Sequence, residues 1–208
     1  FFQRGTVMKG IFLKDIMNLK GQMLYYAFIV VFFFAVGVVS GNIYFYAGVS
    51  IFCGVVAPLS AISYDEKDNW DKFALASGVS RKSLALSRYA LGLAIFVPVW
   101  AISFVFFAIP GFCTEENLYT VLAFGGLGLA VTDGVLPLVF KLGVEKARTV
   151  YVVLVVAVMA LCVGAASFIG LTGGYAPLIG SLAALAVGII GLPVSVCVSL
   201  TIYRHKDF

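Results

Sequence analysis

The residue best suited to chemistry within the apolar part of this chain is Asp133. It is the only Asp, Glu, Lys, Arg or His side chain in the stretch 117–140, and it lies eight residues before Lys141, about 12 Å along a helix. A carboxyl group at that depth in a membrane is costly and normally faces protein or water. Two roles remain open: a substrate or gating contact, or a structural acid that is hydrogen-bonded beside the helix irregularity at Gly134 and Pro137.

No set of residues for catalysis accompanies this acid. The sequence has no Gly-x-x-x-x-Gly-Lys-Ser/Thr phosphate loop, no Ser/His/Asp set and no His-Glu-x-x-His pair, and we expect no pair of buried carboxylates. We therefore expect no enzyme activity and no cofactor in this chain, and any ATP and Mg²⁺ must be bound by another chain. The single histidine lies in the tail, and no two cysteines have ligand spacing, so neither a metal site nor a disulfide framework is expected; these residues are His205, Cys53, Cys113, Cys162 and Cys197.

Four apolar runs dominate the chain. They cover residues 21–64, 89–114, 117–140 and 149–203, and their lengths are 44, 26, 24 and 55 residues. About 20 apolar residues are needed for one helix to cross the hydrocarbon core, so the runs hold two, one, one and two spans. Because 62% of the residues are hydrophobic and 12% are charged, we predict an all-α polytopic membrane domain with six transmembrane helices.

The basic residues fix the topology of these spans. Threading the chain through six spans places all 14 Lys and Arg residues on one side, and the other side receives only Glu115 and Glu116. Short loops rich in Lys and Arg stay in the cytoplasm, which predicts that both termini are cytoplasmic. The net charge of +4 then reflects membrane topology, and no nucleic-acid partner is expected.

The predicted spans have short connections, with one exception. Residues 1–7 look like a remnant foreign to the natural chain, and 8–208 form the single membrane domain. Met8 to Leu19 place apolar side chains on one helical face, which predicts an interfacial amphipathic helix along the inner leaflet; a frayed extension of the first span is the alternative. The spans themselves are predicted at 23–39, 43–63, 86–109, 118–140, 149–169 and 177–203.

The exception is the long polar loop 65–88, which holds four acids and five bases. Asp68, with Asp71 three residues later, resembles an N-cap, so we predict a short helix over 69–76. Gly78 can end this helix, and Ser80 can cap the next one. A plain connector needs only a few residues. The loop is therefore either a long solvated connector or a docking element for a soluble partner, and the resemblance described below favours docking.

Three segments resemble the membrane subunits of bacterial ABC exporters, specifically the small ABC-2 permeases that include the phenol-soluble-modulin exporters. They are MKGIFLKDIMNLKGQ at 8–22, ISYDEKDNWDKFALASGVSRKSLALSRY at 62–89 and PLVFKLGVEKAR at 137–148. Together they cover about a quarter of the chain, and the central segment is the most specific. Larger members of the group carry re-entrant helices between spans five and six, where this chain has only the short turn 170–176.

The resemblance implies a multi-pass protein of the bacterial plasma membrane. It would work with a second permease copy, identical or related, and with two copies of an ABC ATPase subunit that bind ATP and Mg²⁺. It implies that amphipathic or antimicrobial peptides are exported. The ATPase would bind a coupling helix between spans two and three, with Trp70 and Phe73 as the central contacts and charged residues at the rim of the interface. On this sequence that helix comprises Asp68, Asn69, Trp70, Asp71, Lys72, Phe73, Ala74 and Leu75.

Two other functions fit a small polytopic chain. One is the substrate-binding membrane subunit of an energy-coupling-factor importer, although its small-residue docking motif is not evident because Ala27 and Ala35 are eight residues apart. The other is an ion-coupled secondary transporter that uses Asp133. A membrane-embedded enzyme fits least well, because no polar reaction centre is evident.

Overall fold

The computed structural model describes residues 2–153 and 176–205. These residues are helical almost throughout, and no strand occurs within them. A 3-10 helix, Ser103–Ala108, continues directly from the fourth α-helix. The α-helices are α1 (Phe2–Ser40), α2 (Tyr44–Lys67), α3 (Trp70–Ala76), α4 (Arg81–Ile102), α5 (Glu115–Leu142), α6 (described over 144–153) and α7 (Ala176–His205).

Five of these helices are long and apolar enough to cross a membrane, and they confirm the all-α polytopic class. The candidate spans are Gly10–Ser40, Tyr44–Lys67, Arg81–Ala108, Glu115–Leu142 and Pro177–Arg204. They contain most or all of the first, second, third, fourth and sixth predicted spans. Of the fifth predicted span, 149–169, only residues through 153 are described, and nearly all of the turn 170–176 also lies outside the described residues.

The prediction of a separate interfacial helix at Met8–Leu19 is wrong. Residues 2–40 form one unbroken α-helix of 39 residues, so this segment is an extension of the first span. Gly21 does not break the helix, because a glycine in a helix interior costs only about 1 kcal/mol. The extension is also held from the side, because Ile11 and Leu19 are buried against other helices.

Small residues allow the closest helix contact in the described chain. The pair α5 and α7 forms the most extensive helix contact. An ideal Cβ on Gly126 would lie 2.3 Å from the backbone carbon of Ala184, and one on Gly188 would lie 2.6 Å from the carbonyl oxygen of Gly126. Small residues let helix backbones approach closely in lipid, which explains the glycine content of these two helices.

The two ends of the helices differ in their chemistry. At one end, Ile43, Tyr46 and Phe106 form a buried apolar cluster beside the turn at Gly41. At the other end lie α3, the turn between α5 and α6, and the C-terminal end of α7. There Asp71 of α3 bonds Tyr203 of α7, and Glu66 of α2 bonds Val144 just after the turn. We call this second end the basic end, because Lys and Arg residues concentrate there.

Candidate functional site

The short helix α3 begins differently from the prediction. The N-cap is Asn69, in a left-handed conformation with φ 52° and ψ 32°, and its side chain makes no capping hydrogen bond. The proposed capping role of Asp68 is therefore wrong: Asp68 follows the last residue of α2, and its N–H donates to the carbonyl oxygen of Tyr64 at 3.0 Å. Asparagine tolerates the left-handed conformation better than most residues, which explains the abrupt start of α3.

The end of α3 and the start of α4 agree with the prediction. Gly78 has a φ of +86°, and its N–H donates to the carbonyl oxygen of Leu75 at 3.0 Å. A glycine in this conformation satisfies carbonyl groups at a helix end without steric cost. Ser80 caps α4, since its side chain accepts a hydrogen bond from the N–H of Ser83 at 3.1 Å.

The predicted coupling residues separate onto two faces of α3. Phe73 is 61% exposed, and Asp68, Asn69 and Lys72 are exposed as well. Ala74 is buried. Trp70, Asp71 and Leu75 are partly buried, and Trp70 and Leu75 pack against the apolar core. The outward face therefore offers Phe73 and polar residues to a partner, whereas the inward face holds α3 to the membrane helices.

Two contacts on the inward face reach different helices. The ammonium group of Lys14 on α1 lies 4.6 Å from the centre of the Trp70 ring, a cation–π geometry. On the next residue, Asp71 accepts a hydrogen bond from the phenol of Tyr203 on α7, at 2.7 Å. The helix α3 thus has one connection to the N-terminal helix and one to the C-terminal helix.

Beside Trp70 lies a set of four ionisable residues that we call the charge cluster: Lys14, Asp15, Asp65 and Arg88. The ammonium nitrogen of Lys14 lies 2.5 Å from Asp65 and 3.2 Å from Asp15. The guanidinium of Arg88 lies 2.5 Å from Asp15 and also pairs with Asp65. Asp15, Asp65 and Arg88 are all at most 3% exposed, and Lys14 is 21% exposed.

The charge cluster joins three helices and is neutral in sum. Lys14 and Asp15 lie on α1, Asp65 on α2 and Arg88 on α4, so two positive groups face two negative groups. Removing one partner of a buried pair leaves an uncompensated charge, which is strongly destabilising. The three helices are therefore held in register where they meet α3.

This cluster was not predicted from the sequence, and the expectation that no pair of buried carboxylates exists is wrong. A signal was present in the helical spacing. Asp15 lies four residues from both Ile11 and Leu19, and these two are 5% and 2% exposed. Arg88 lies four residues after Leu84, which is 0% exposed. A charge within an apolar helical stripe indicates a buried partner of opposite sign.

Two further polar contacts secure the basic end. A carboxylate oxygen of Glu66 accepts a hydrogen bond from the N–H of Val144 at 3.2 Å, where α6 begins. The guanidinium of Arg81 donates to the carbonyl oxygens of Tyr203 and Arg204, at 3.2 Å and 2.7 Å. These bonds join α2 to α6 and α4 to α7, and both α2 and α4 also pack against α5.

Asp133 lies on α5 between α4 and α7, and it is 8% exposed. Within the part of the chain that the structure describes, neither of its carboxylate oxygens has a hydrogen-bond partner. The carboxylate faces Gly191 on α7, where an ideal Cβ would come within 2.8 Å of Oδ2. Glycine at that position therefore leaves the space that the carboxylate occupies.

A series of hydrogen-bonded hydroxyl groups ends at the backbone carbonyl of Asp133. Ser195 donates to the carbonyl oxygen of Asp133 at 2.6 Å, and its oxygen lies 2.6 Å from the phenol of Tyr89. The same phenol lies 2.7 Å from Ser199. Because each hydroxyl has one proton to donate, the direction follows: Ser199 donates to Tyr89, Tyr89 to Ser195, and Ser195 to Asp133. This series ties α4, α5 and α7 together and leaves the carboxylate unused.

The fold and the site define a polytopic helical membrane protein with a short helix at its basic end, one face of which is exposed. A family model described as ABC-2 family transporter protein matches residues 10–204. The chain therefore belongs to the ABC-2 family and is the transmembrane subunit of an ABC transporter, which implies a partner ATPase subunit and a membrane. No curated protein and no solved structure matches the chain. The family favours a permease over the importer subunit and the secondary transporter considered from the sequence.

Proposed function

We propose that this chain is the permease of an ATP-driven exporter in a bacterial plasma membrane. Its basic end faces the cytoplasm, where two ABC ATPase subunits bind ATP and Mg²⁺ and drive a pair of permeases, identical or related. The substrates are amphipathic or antimicrobial peptides. The observation that carries the proposal is α3, a short helix at the basic end that exposes Phe73 to 61% while its inward face is bonded to the spans.

The two faces of α3 refine the roles of the coupling residues. Phe73 is the central contact with the ATPase, because an exposed aromatic side chain can fill a pocket in a partner and such residues dominate interface energetics. Asp68 and Lys72 lie at the rim, where charges set orientation more than affinity. Trp70 and Asp71 hold α3 to the permease, and they act in transmission more than in docking.

Co-purification from the membrane tests this docking role. The permease, with an affinity tag, is co-expressed with its ABC ATPase, and the recovered ATPase is quantified for Phe73→Ala and for a control, Leu142→Ala. Leu142 is also exposed, to 40%, at the same end of the molecule but outside α3. Loss of a central aromatic anchor costs about 2 kcal/mol or more, so recovery is expected to fall by about tenfold or more for Phe73→Ala. It should change little for Leu142→Ala.

The docking role is refuted if Phe73→Ala retains the ATPase at the level of the unmodified permease. If the unmodified permease retains no ATPase, the proposed function itself fails. Reporter fusions in the loop that contains α3 give a separate check of topology: a cytoplasmic reporter must be active there, and an external reporter must be inactive.

We further propose that Asp133 is a gating or substrate contact. Its carboxylate is nearly enclosed yet has no hydrogen-bond partner among the described residues. A polar group in such a position is expensive and marks a functional position more often than a structural one. Transport by Asp133→Asn tests this role.

A further inference from the structure

The charge cluster lies on α1, α2 and α4, where these spans meet α3. Lys14 is the residue that connects these spans to α3, because its ammonium group lies 4.6 Å from the Trp70 ring, 2.5 Å from Asp65 and 3.2 Å from Asp15. A displacement of Trp70 therefore acts on the same ammonium group that holds both carboxylates.

Because the charge cluster is buried, its ionic partners resist being separated. Asp15, Asp65 and Arg88 are at most 3% exposed, so water cannot readily replace an ionic partner that moves away. Separating α1, α2 or α4 at this point would strand a buried charge. The three helices must consequently move together when α3 pulls on Lys14, because packed interfaces of this kind shift as units.

We propose that the charge cluster is the joint through which movement of α3 reaches α1, α2 and α4, with Lys14 as the positioning residue. The proposal rests on the function proposed above, since an ATPase docked on α3 supplies the movement. The connection from Asp71 to Tyr203 is a second, separate path, and it leads to α7.

The chain contains two tryptophans, and they stand at the two ends of this path. Trp70 is on α3, beside Lys14. Trp100 is on α4, twelve residues beyond Arg88, which is about 18 Å along the helix. Its indole N–H donates to the carbonyl oxygen of Val121 at 2.9 Å, so its environment reports on the position of α4 relative to α5.

Fluorine NMR can detect changes in the environments of Trp70 and Trp100 without a substrate. The permease is labelled with 5-fluorotryptophan, assembled with its ATPase in lipid nanodiscs, and measured without nucleotide and after trapping with ATP and vanadate. Trp70→Phe assigns the two signals. In the unmodified complex we expect both signals to shift on trapping.

The decisive variant is Lys14→Met, which keeps an unbranched side chain but removes the charge. We expect the Trp70 signal to shift on trapping, because the ATPase still holds Phe73, and the Trp100 signal to lose its shift. Lys14→Arg should restore the Trp100 shift. Lys20→Met is the matched control, because Lys20 lies on the same helix and is exposed, and both shifts should persist.

A second variant covers the case in which Lys14→Met does not assemble. Trp70→Leu breaks the same connection from the α3 side and leaves all four charges in place. The Trp100 shift should again be lost, while the ATPase is still recovered. Asp71→Asn, which weakens the path to α7, should preserve the Trp100 shift.

Different results would refute the role of the charge cluster and the proposed exporter function. If Trp100 shifts on trapping in Lys14→Met, or in Trp70→Leu, as it does in the unmodified complex, the joint is refuted and the proposed function stands. If Trp70 does not shift on trapping in the unmodified complex, α3 is not driven by the ATPase, and both proposals fail.

Discussion

A methyl group at Gly126 would separate α5 from α7. An ideal Cβ there would lie 2.3 Å from the carbonyl carbon of Ala184, 2.3 Å from the nitrogen of Leu185 and 2.4 Å from the oxygen of Ala184. These are backbone atoms, so no side-chain rotation can relieve the contact. Non-bonded carbon atoms are most favourably placed at about 3.5–4.0 Å, and the shortfall therefore exceeds about 1 Å.

The loss of stability in Gly126→Ala can be estimated from how far the two helices must separate. If the helices move apart by about 1 Å, the contacts along the interface lose a quarter to a half of their dispersion energy. Overpacking usually costs about 1–3 kcal/mol. The interface is the most extensive in the described chain, so we expect Gly126→Ala to lower the free energy of unfolding by about 3 kcal/mol or more.

Unfolding in mixed micelles by SDS titration measures this loss. The control is Gly48→Ala in α2, where an added Cβ meets nothing within 4 Å. Alanine there should stabilise the helix by about 0.5–1 kcal/mol, because glycine is a poor helix former. If the free energies of unfolding of Gly126→Ala and Gly48→Ala differ by less than about 0.5 kcal/mol, as for substitutions that touch no special feature, α5 and α7 do not pack through Gly126.

Two further substitutions test the buried charges. Arg88→Met leaves Asp15 and Asp65 with only one cationic partner, so the free energy of unfolding should fall by about 3–5 kcal/mol; an unchanged SDS midpoint would show that the cluster is not ionised as described. Asp133→Asn keeps the shape of the side chain and removes its charge, so assembly with the ATPase should persist. Export of a dye-labelled amphipathic peptide into inverted vesicles should fall by about tenfold or more, the equivalent of one charge-assisted hydrogen bond of about 1.5–3 kcal/mol. Full transport by this variant would leave Asp133 a structural residue.

Five of the predicted spans and the turns around α3 could be predicted from the sequence because they depend on local chemistry. Mean hydropathy and length determine whether a segment crosses a membrane, and the predicted second span, 43–63, agrees with α2 at Tyr44–Lys67 apart from its polar end. The helix stop at Gly78 and the cap at Ser80 agree for the same reason, since a left-handed glycine and a serine hydroxyl act within a few residues.

The charge cluster and the inward face of α3 depend on residues that are far apart in the chain. Asp15 and Arg88 are separated by 73 positions, and nothing in the local pattern of either residue specifies the other. The resemblance implies that Trp70 contacts the ATPase, but nothing in the local sequence predicts that the ammonium group of Lys14 lies over its ring. The continuity of α1 has the same origin, because the side chains that hold its N-terminal part are on α2 and α4.

Two groups of described helices are held together in different ways, and α3 contacts both groups. The helices α1, α2 and α4 meet through opposite charges at the basic end, whereas α5 and α7 approach most closely at Gly126 and Gly188. A buried ion pair tolerates small changes in the angle between its helices, because the attraction persists while water is excluded. It does not tolerate separation of the helices, which would leave unpaired buried charges. The close packing of two helix backbones at glycine tolerates neither a change of angle nor separation, since it depends on complementary shape. A pull on α3 should therefore tilt the charged group of helices against the rigid pair, and the hydroxyl chain from Tyr89 to Asp133 lies where the two groups meet.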